Sequence, residues 1–226
     1  MQQPEIRIAA KAKRNAWFIT LCSVLALLVV LLVSQFYWQQ AKFSLMLLLL
    51  LSLSFIFLGI LKLLEPKNSF ILSPEHITFY HRKGRWQIPW DNIRTIHPIT
   101  NTYGITQEQL CYIGLTLHSF EQLKDHISPR LANHLIHEQK PLVTYCVARE
   151  LMPIESAIIS FDGYKCQNGD EIKGPLAGFF HQCRALHQAL GADIFINDSY
   201  IDRDVDAFAQ LLKQCKSAAK NYQSSH

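Results

Sequence analysis

Hydrophobic and polar positions change rhythm sharply along this chain. From Ala16 to Val33, 18 residues pass without a charge, and from Phe43 to Leu61 another 19 do. At about 1.5 Å per residue these runs reach roughly 27 and 28 Å, close to the ~30 Å hydrocarbon core of a bilayer. A helix in a soluble core is apolar along one stripe, whereas these are apolar all round. Only the short stretch Ser34–Lys42 joins them, so the pattern predicts an antiparallel transmembrane hairpin over residues 16–64. Before it, residues 1–15 read as a basic cytosolic N-terminus. After it, residues 65–220 read as a soluble domain and 221–226 as a flexible tail.

Beyond Pro66 the period changes to that of strands. Phe70-Ile71-Leu72 is a short apolar strand, turned at Ser73-Pro74-Glu75. Ile77, Phe79 and His81 alternate with Thr78, Tyr80 and Arg82, and the return strand carries Trp86, Ile88 and Trp90 on one face. Lys83-Gly84 is the predicted two-residue hairpin turn. An apolar stretch then runs to Ile99, residues 100–109 form a polar loop, and Tyr112–His118 is a further strand. Ser119–Lys140 is predicted helical, divided by Pro129 and ended by Pro141. Leu142–Val147 and Ala157–Phe161 are predicted strands, and Asn168-Gly169 turns a hairpin between Tyr164–Cys166 and Glu171-Ile172. Leu176–Leu190 is a predicted helix closed by Gly191. Asp193–Asn197 is a strand, and a final helix runs from about Arg203 to Ala219. Asp91, after Trp90, is expected to cap the turn that follows its strand.

Charge gives the hairpin a direction. The chain carries 22 Lys and Arg against 18 Asp and Glu; residues 66–226 hold sixteen of each sign, so the whole excess belongs to the anchor and its flanks. Arg7, Lys11, Lys13 and Arg14 precede the first run, Lys62 and Lys67 follow the second, and the connection has only Lys42. Positive charge on both outer flanks places both termini in the cytoplasm. Trp17 at one end, Tyr37 and Trp38 at the other, and a snorkelling Lys62 suit the two membrane interfaces. A cleaved signal peptide shares the basic start, but the apolar run is long and no small-x-small site follows before Gln39. The neutral soluble part removes any need for a nucleic-acid partner. Six cysteines, none in a C-x-x-C pair, fit reduced cytosolic thiols better than a disulfide framework.

The segments Phe70-Ile71-Leu72-Ser73-Pro74-Glu75-His76-Ile77 and Trp86-Gln87-Ile88-Pro89-Trp90-Asp91-Asn92-Ile93 resemble the opening of bacterial pleckstrin-homology-like domains that follow membrane helices. The strand Asp193–Asn197 and the last amphipathic helix are similar to that family's closing elements. The resemblance implies an α+β architecture: a PH-like sheet or barrel with a C-terminal helix, in which residues 119–190 form an inserted α/β segment. The whole chain also resembles a family of small bacterial inner-membrane proteins, which implies a location and no reaction.

Candidate chemistry is sparse. Arg82, Lys83 and Arg85 cluster at a hairpin tip soon after the membrane exit, where each cation can gain about 1 kcal/mol from anionic lipid. An ordinary solvated turn accounts for them more simply. His134, His137 and Glu138, and separately His181, Cys183 and His187, have spacings that can present ligands on one helix face, but neither an H-E-x-x-H nor a C-x-x-C accompanies them. No metal and no cofactor is expected. Asp202, Asp204 and Asp206 lack the glycine and glutamate that a calcium loop needs and read as helix N-terminal charges. Ser160, Asp162 and His181 can be written as a triad, yet no nucleophile elbow, P-loop or dinucleotide fingerprint is present. The expectation is therefore a non-catalytic interaction or scaffold module at the cytoplasmic face of the bacterial inner membrane, with a protein partner or a second copy. An anionic-lipid-sensing regulator and a membrane-associated hydrolase are the alternatives.

Overall fold

The computed structural model describes residues 5–9, 16–63, 68–101, 108–166 and 168–224. The chain divides into two compact units, Ala10–Lys67 and a second made of Met1–Ala9 together with Asn68–His226. Of the predicted flanking charges, Lys11, Lys13, Arg14 and Lys67 lie outside the described residues.

The first unit is a helical hairpin, α1 (Ala16–Tyr37) and α2 (Lys42–Leu63). Both helices are long and apolar enough to cross a membrane. The turn closes where Gln40 and Ala41 donate to the Tyr37 carbonyl at 3.1 and 3.0 Å. Leu45, Ser52 and Gly59 recur every seventh residue on α2 and are its buried positions, while the larger apolar side chains face outward. A Cβ at Gly59 would collide with the Thr20 side chain, so glycine permits the close approach of the two helices there. The Ser23 and Ser52 hydroxyls donate back to the carbonyls of Ile19 and Leu48 at 2.6 and 2.8 Å, which satisfies them inside an apolar seam.

The second unit mixes helix and antiparallel sheet. Its first sheet has the order β1 (Ile6–Ile8), β2 (Phe70–Leu72), β3 (His76–His81), β4 (Gly84–Pro89). Strand β1 is absent from the sequence reading, which treats residues 1–15 only as a basic segment. It pairs Ile8 with Phe70 and Ile6 with Leu72, so the helical hairpin is spliced between two neighbouring strands of one sheet. A second sheet has the order β5 (Ile93–Asn101), β6 (Glu108–Leu117), β9 (Ile194–Asn197), and a small hairpin joins β7 (Tyr164–Lys165) to β8 (Glu171–Ile172). Among the described residues the strands form these separate sheets and no closed barrel.

Helices α3 (Pro129–Glu138), α4 (Lys140–Ala148), α5 (Pro175–Leu190) and α6 (Val205–Ser224) complete the unit. Leu131, Leu135 and Ile136 of α3 and Phe179, Phe180 and Cys183 of α5 share one buried cluster with Phe70, Phe79, Trp86 and Phe208. The 119–190 segment is thus packed into the same core as the sheets. Phe70 is the hub, with ring centroids 5.0 Å from Phe79, 6.1 Å from Trp86 and 5.4 Å from Phe208.

Several local predictions need correction. Leu142–Val147 is helix α4 and not a strand, and Pro141 opens that helix instead of ending one, because proline fits the first helical turn where its missing N–H is no loss. Ala157–Phe161 is not a strand: Ile154–Ala157 makes a single 3₁₀ turn and the rest runs irregularly. Residues 119–128 hold a 3₁₀ turn, Phe120–Asp125, and the α-helix begins only at Pro129. Strand β6 starts at Glu108, inside the predicted loop, whose residues 102–107 lie outside the described set.

Candidate functional site

The basic cluster sits on the β3–β4 hairpin. His81 pairs with Gly84, so Arg82 and Lys83 are the loop and Gly84 opens the return strand, one residue earlier than predicted. Gly84 carries the positive φ, 143°, and a Cβ there would run into the Ser128 side chain at the start of α3. Glycine therefore lets the turn lie against α3. The Lys83 N–H donates to His81 Nδ1 at 3.2 Å, and Ser128 Oγ donates to the Lys83 carbonyl at 3.4 Å.

Register places this tip within the sheet, relative to Ile8 and Ser69. Ser69 N–H donates to the Ile8 carbonyl at 2.7 Å, and Tyr80 N–H donates to the Ser69 carbonyl at 2.8 Å. Tyr80 in turn pairs with Arg85. Arg85 is therefore level with the residues where the chain leaves and rejoins the sheet, about 10 Å from Ser69 at the usual interstrand spacing. Arg82 and Lys83 lie just beyond that level, and all three cations are exposed.

Beneath the cations is a polar cluster built from distant parts of the sequence. The His81 and His134 rings stack with centroids 4.5 Å apart, and Tyr200 meets His81 edge-on at 5.9 Å. Lys83 Nζ donates to His134 Nδ1 at 3.3 Å. Because an ammonium has only donors, His134 Nδ1 is the acceptor and its proton sits on Nε2, which is 3.7 Å from Glu138 Oε2. Tyr200 OH donates to the same Glu138 oxygen at 2.9 Å. Burial, together with the neighbouring His134 and the Lys83 and Arg82 charges, lowers His81 to about 4. Burial, Lys83, His137 and Arg82 lower His134 as well. Both rings are neutral near pH 7, which limits repulsion beside the cations. Burial raises the Glu138 carboxyl, against the pull of the Tyr200 hydrogen bond.

The remaining sequence candidates do not assemble into sites. His181 Nε2 approaches the main-chain carbonyl of Asp162 at 3.2 Å, while Ser160 Oγ donates to the Asp162 carboxylate at 2.9 Å. The histidine is thus not held between serine and carboxylate as a general base requires. His187 pairs with Asp193 at 2.8 Å, and the other Asp193 oxygen accepts from the Leu117 N–H at 2.7 Å, tying α5 to β6. Cys183 is fully buried and its thiol is pushed well up by desolvation. Among the described residues no three metal-ligating side chains converge. Asp202 is paired with Arg203 at 2.8 Å, ahead of the α6 start. Asp91 makes no capping bond; the side-chain anchor of that turn is Asn92, which exchanges hydrogen bonds with the Ser119 backbone at 2.8 and 2.9 Å. Trp90 adds an indole N–H bond to the Ser73 carbonyl at 2.7 Å.

The interface residues predicted for the hairpin are ordered along it. Trp17 lies in the first turn of α1 and Lys62 in the last turn of α2, at one end of the antiparallel pair. Tyr37 and Trp38 lie at the connecting end.

The chain belongs to the family described as "Protein of unknown function (DUF2982)", which it matches over residues 70–218. The match spans β2 to β9 and the 119–190 segment, and β1 lies outside it. No curated protein and no solved structure matches the chain.

Proposed function

We propose that this protein is a membrane-anchored, non-catalytic recognition module of the bacterial inner membrane, with α1 and α2 spanning the bilayer and the mixed α/β unit in the cytoplasm. The observation that carries the reading is the β1–β2 pairing across the hairpin. Ile8 and Phe70 are partners on adjacent strands, so the chain must leave for the membrane and return from it on the same side. Two spans meet that condition, and the Lys and Arg flanks favour the cytoplasm as that side. The neutral sheet domain, with neither a triad geometry nor a converging ligand set among the described residues, suits binding better than turnover. Protein recognition or scaffolding at the membrane face is the role this arrangement supports best.

Reporter fusions test it. A phosphatase active only outside the cytoplasm should be silent at residue 226 and active when inserted between Gln39 and Ala41. Activity at the C-terminus would overturn the orientation. Mild-detergent copurification of the full chain should bring down a stoichiometric partner.

A second reading, recognition of anionic lipid, is favoured by the register that puts Arg85 level with Ile8 and Ser69, where the chain leaves and rejoins the sheet. In nanodiscs of the full chain, raising anionic lipid should slow amide exchange at residues 81–86. Arg82→Glu, Lys83→Glu and Arg85→Glu together should abolish that effect. Identical exchange in neutral and anionic discs would remove the lipid reading and leave the anchor intact.

A further inference from the structure

The α/β unit hides its large apolar side chains with one concentrated exception. Among the described residues, apart from Ile6, those it exposes lie within Leu151–Phe161: Leu151 at 38%, Ile154 at 66%, Ile158 at 73% and Phe161 at 52%. The segment links α4 to β7 and is irregular beyond one 3₁₀ turn. Met152 and Ile159 turn inward, Met152 to the second buried cluster and Ile159 against the main one. The outward residues are thus a distinct set and not the spill of a loose core. From Ser156 to Phe161 no residue is charged.

We infer that this segment is a shallow membrane-contacting ridge, whose occupant is the interfacial layer of the bilayer that holds α1 and α2. The inference rests on the membrane-spanning reading above. Reach makes the bilayer available at all times: only residues 9–15 separate β1 from α1, and only residues 64–69 separate α2 from β2. At about 3.6 Å per residue such connectors extend at most roughly 25 Å and 22 Å. The tether therefore keeps lipid at a high effective concentration. Size argues the same way, because a standard protein interface takes about 20–30 residues a side. Four side chains on one short loop are too few for that, whereas lipid accepts a wedge of any size. Backbone chemistry limits the depth. Ser156 and Ile158 N–H groups are satisfied inside the 3₁₀ turn, donating to Pro153 and Glu155. The irregular stretch after it has no ladder to satisfy it, and hydrocarbon does not tolerate such backbone. The ridge therefore rests about 5–10 Å into the headgroup–acyl boundary.

Spin labelling of the full chain in proteoliposomes tests this. Cys22, Cys111 and Cys215 are replaced by serine, and a nitroxide is placed singly at Ile158→Cys, Ile154→Cys, Leu25→Cys on α1, or Lys213→Cys on α6. Accessibility to oxygen is then compared with accessibility to a water-soluble nickel chelate. The ridge labels should show an oxygen-to-nickel ratio several-fold above Lys213→Cys and below Leu25→Cys. Ridge labels matching Lys213→Cys, with Leu25→Cys still lipid-exposed, would overturn the ridge and leave the spans standing. Ridge labels shielded from both reagents would assign the surface to a second copy and overturn it too. A water-accessible Leu25→Cys would remove the spanning reading, and the ridge with it.

Discussion

The two units use the same side-chain chemistry with opposite polarity. In the hairpin, Leu, Val and Phe face outward while Ser23, Ser52 and Gly59 meet at the seam. In the α/β unit, Phe70, Trp86, Phe179, Phe180 and Phe208 are inside, and most charges are outside, with Asp193 a buried exception. On the membrane-spanning reading proposed above, the difference follows from the solvent each surface meets. Lipid offers no hydrophobic gain for joining two helices, so small residues and close backbone contact must do it. Water makes burial of aromatic rings the main stabilising term.

Substitutions that exchange the two rules break the comparison most directly. Phe179→Ala should destabilise the α/β unit by about 3–5 kcal/mol, as large-to-small changes at buried Phe do. Phe57→Ala on the outer face of α2 should leave that unit's denaturation midpoint unchanged. Tryptophan fluorescence from Trp86 and Trp90 reads both, and equal losses would erase the distinction. Next in size is the clasp. Asn92→Ala leaves the Ser119 carbonyl and N–H without their partner and should cost roughly 1–3 kcal/mol, whereas Asp91→Ala should stay within about 0.5 kcal/mol. The same unfolding curve separates them. In the seam, Gly59→Leu should push the helices apart at Thr20, at roughly 1–3 kcal/mol for overpacking. Loss of a Thr20→Cys to Leu58→Cys or Ile60→Cys crosslink in the membrane would register it.

The smallest effect is on acid stability. His81 is held at about 4, below its ordinary 6.5, so the folded chain takes this proton less readily than the unfolded one. Its contribution is fully present above pH 6.5 and is lost as pH falls from there towards 4. His134, lowered too, acts in the same direction. Glu138, raised, acts oppositely, because the folded form protonates first. In a Glu138→Gln background, His81→Phe should therefore flatten the fall in Tm between pH 6.5 and 4. An unchanged slope would assign the acid sensitivity elsewhere.

What the sequence disclosed follows from how far each signal reaches. Uniform apolarity needs no partner, and so both helices of the hairpin were legible in order, although α1 runs on through the predicted connection to Tyr37. The β2–β4 strands, α5 and the β9–α6 end were legible from local period, turns and caps. Strand β1 was not, because Ile6-Arg7-Ile8 is too short to show a period and its partner lies beyond the hairpin. Helix α4 was misread because Val143, Thr144 and Val147 favour strands locally, while Leu142 and Cys146 bury a helical face. Ala157–Phe161 has strand composition with its side chains facing out, a choice that composition alone does not encode. The cations Arg82, Lys83 and Arg85 were visible as a cluster. The polar cluster of His134, Glu138 and Tyr200 beneath them depends on contacts some fifty residues or more apart.

Strand β1 also imposes an order on biosynthesis. Its residues leave the ribosome before the hairpin, yet Ile6 pairs with Leu72 and Ile8 with Phe70, so the strand stays single until the whole hairpin has been made. At about 5–20 residues per second that wait lasts roughly 3–13 s. Synthesis of both helices thus comes before completion of the sheet's edge, and proteolytic removal of the first helix would take that edge away with it. The amino terminus acts as a latch that closes only once the hairpin has been made.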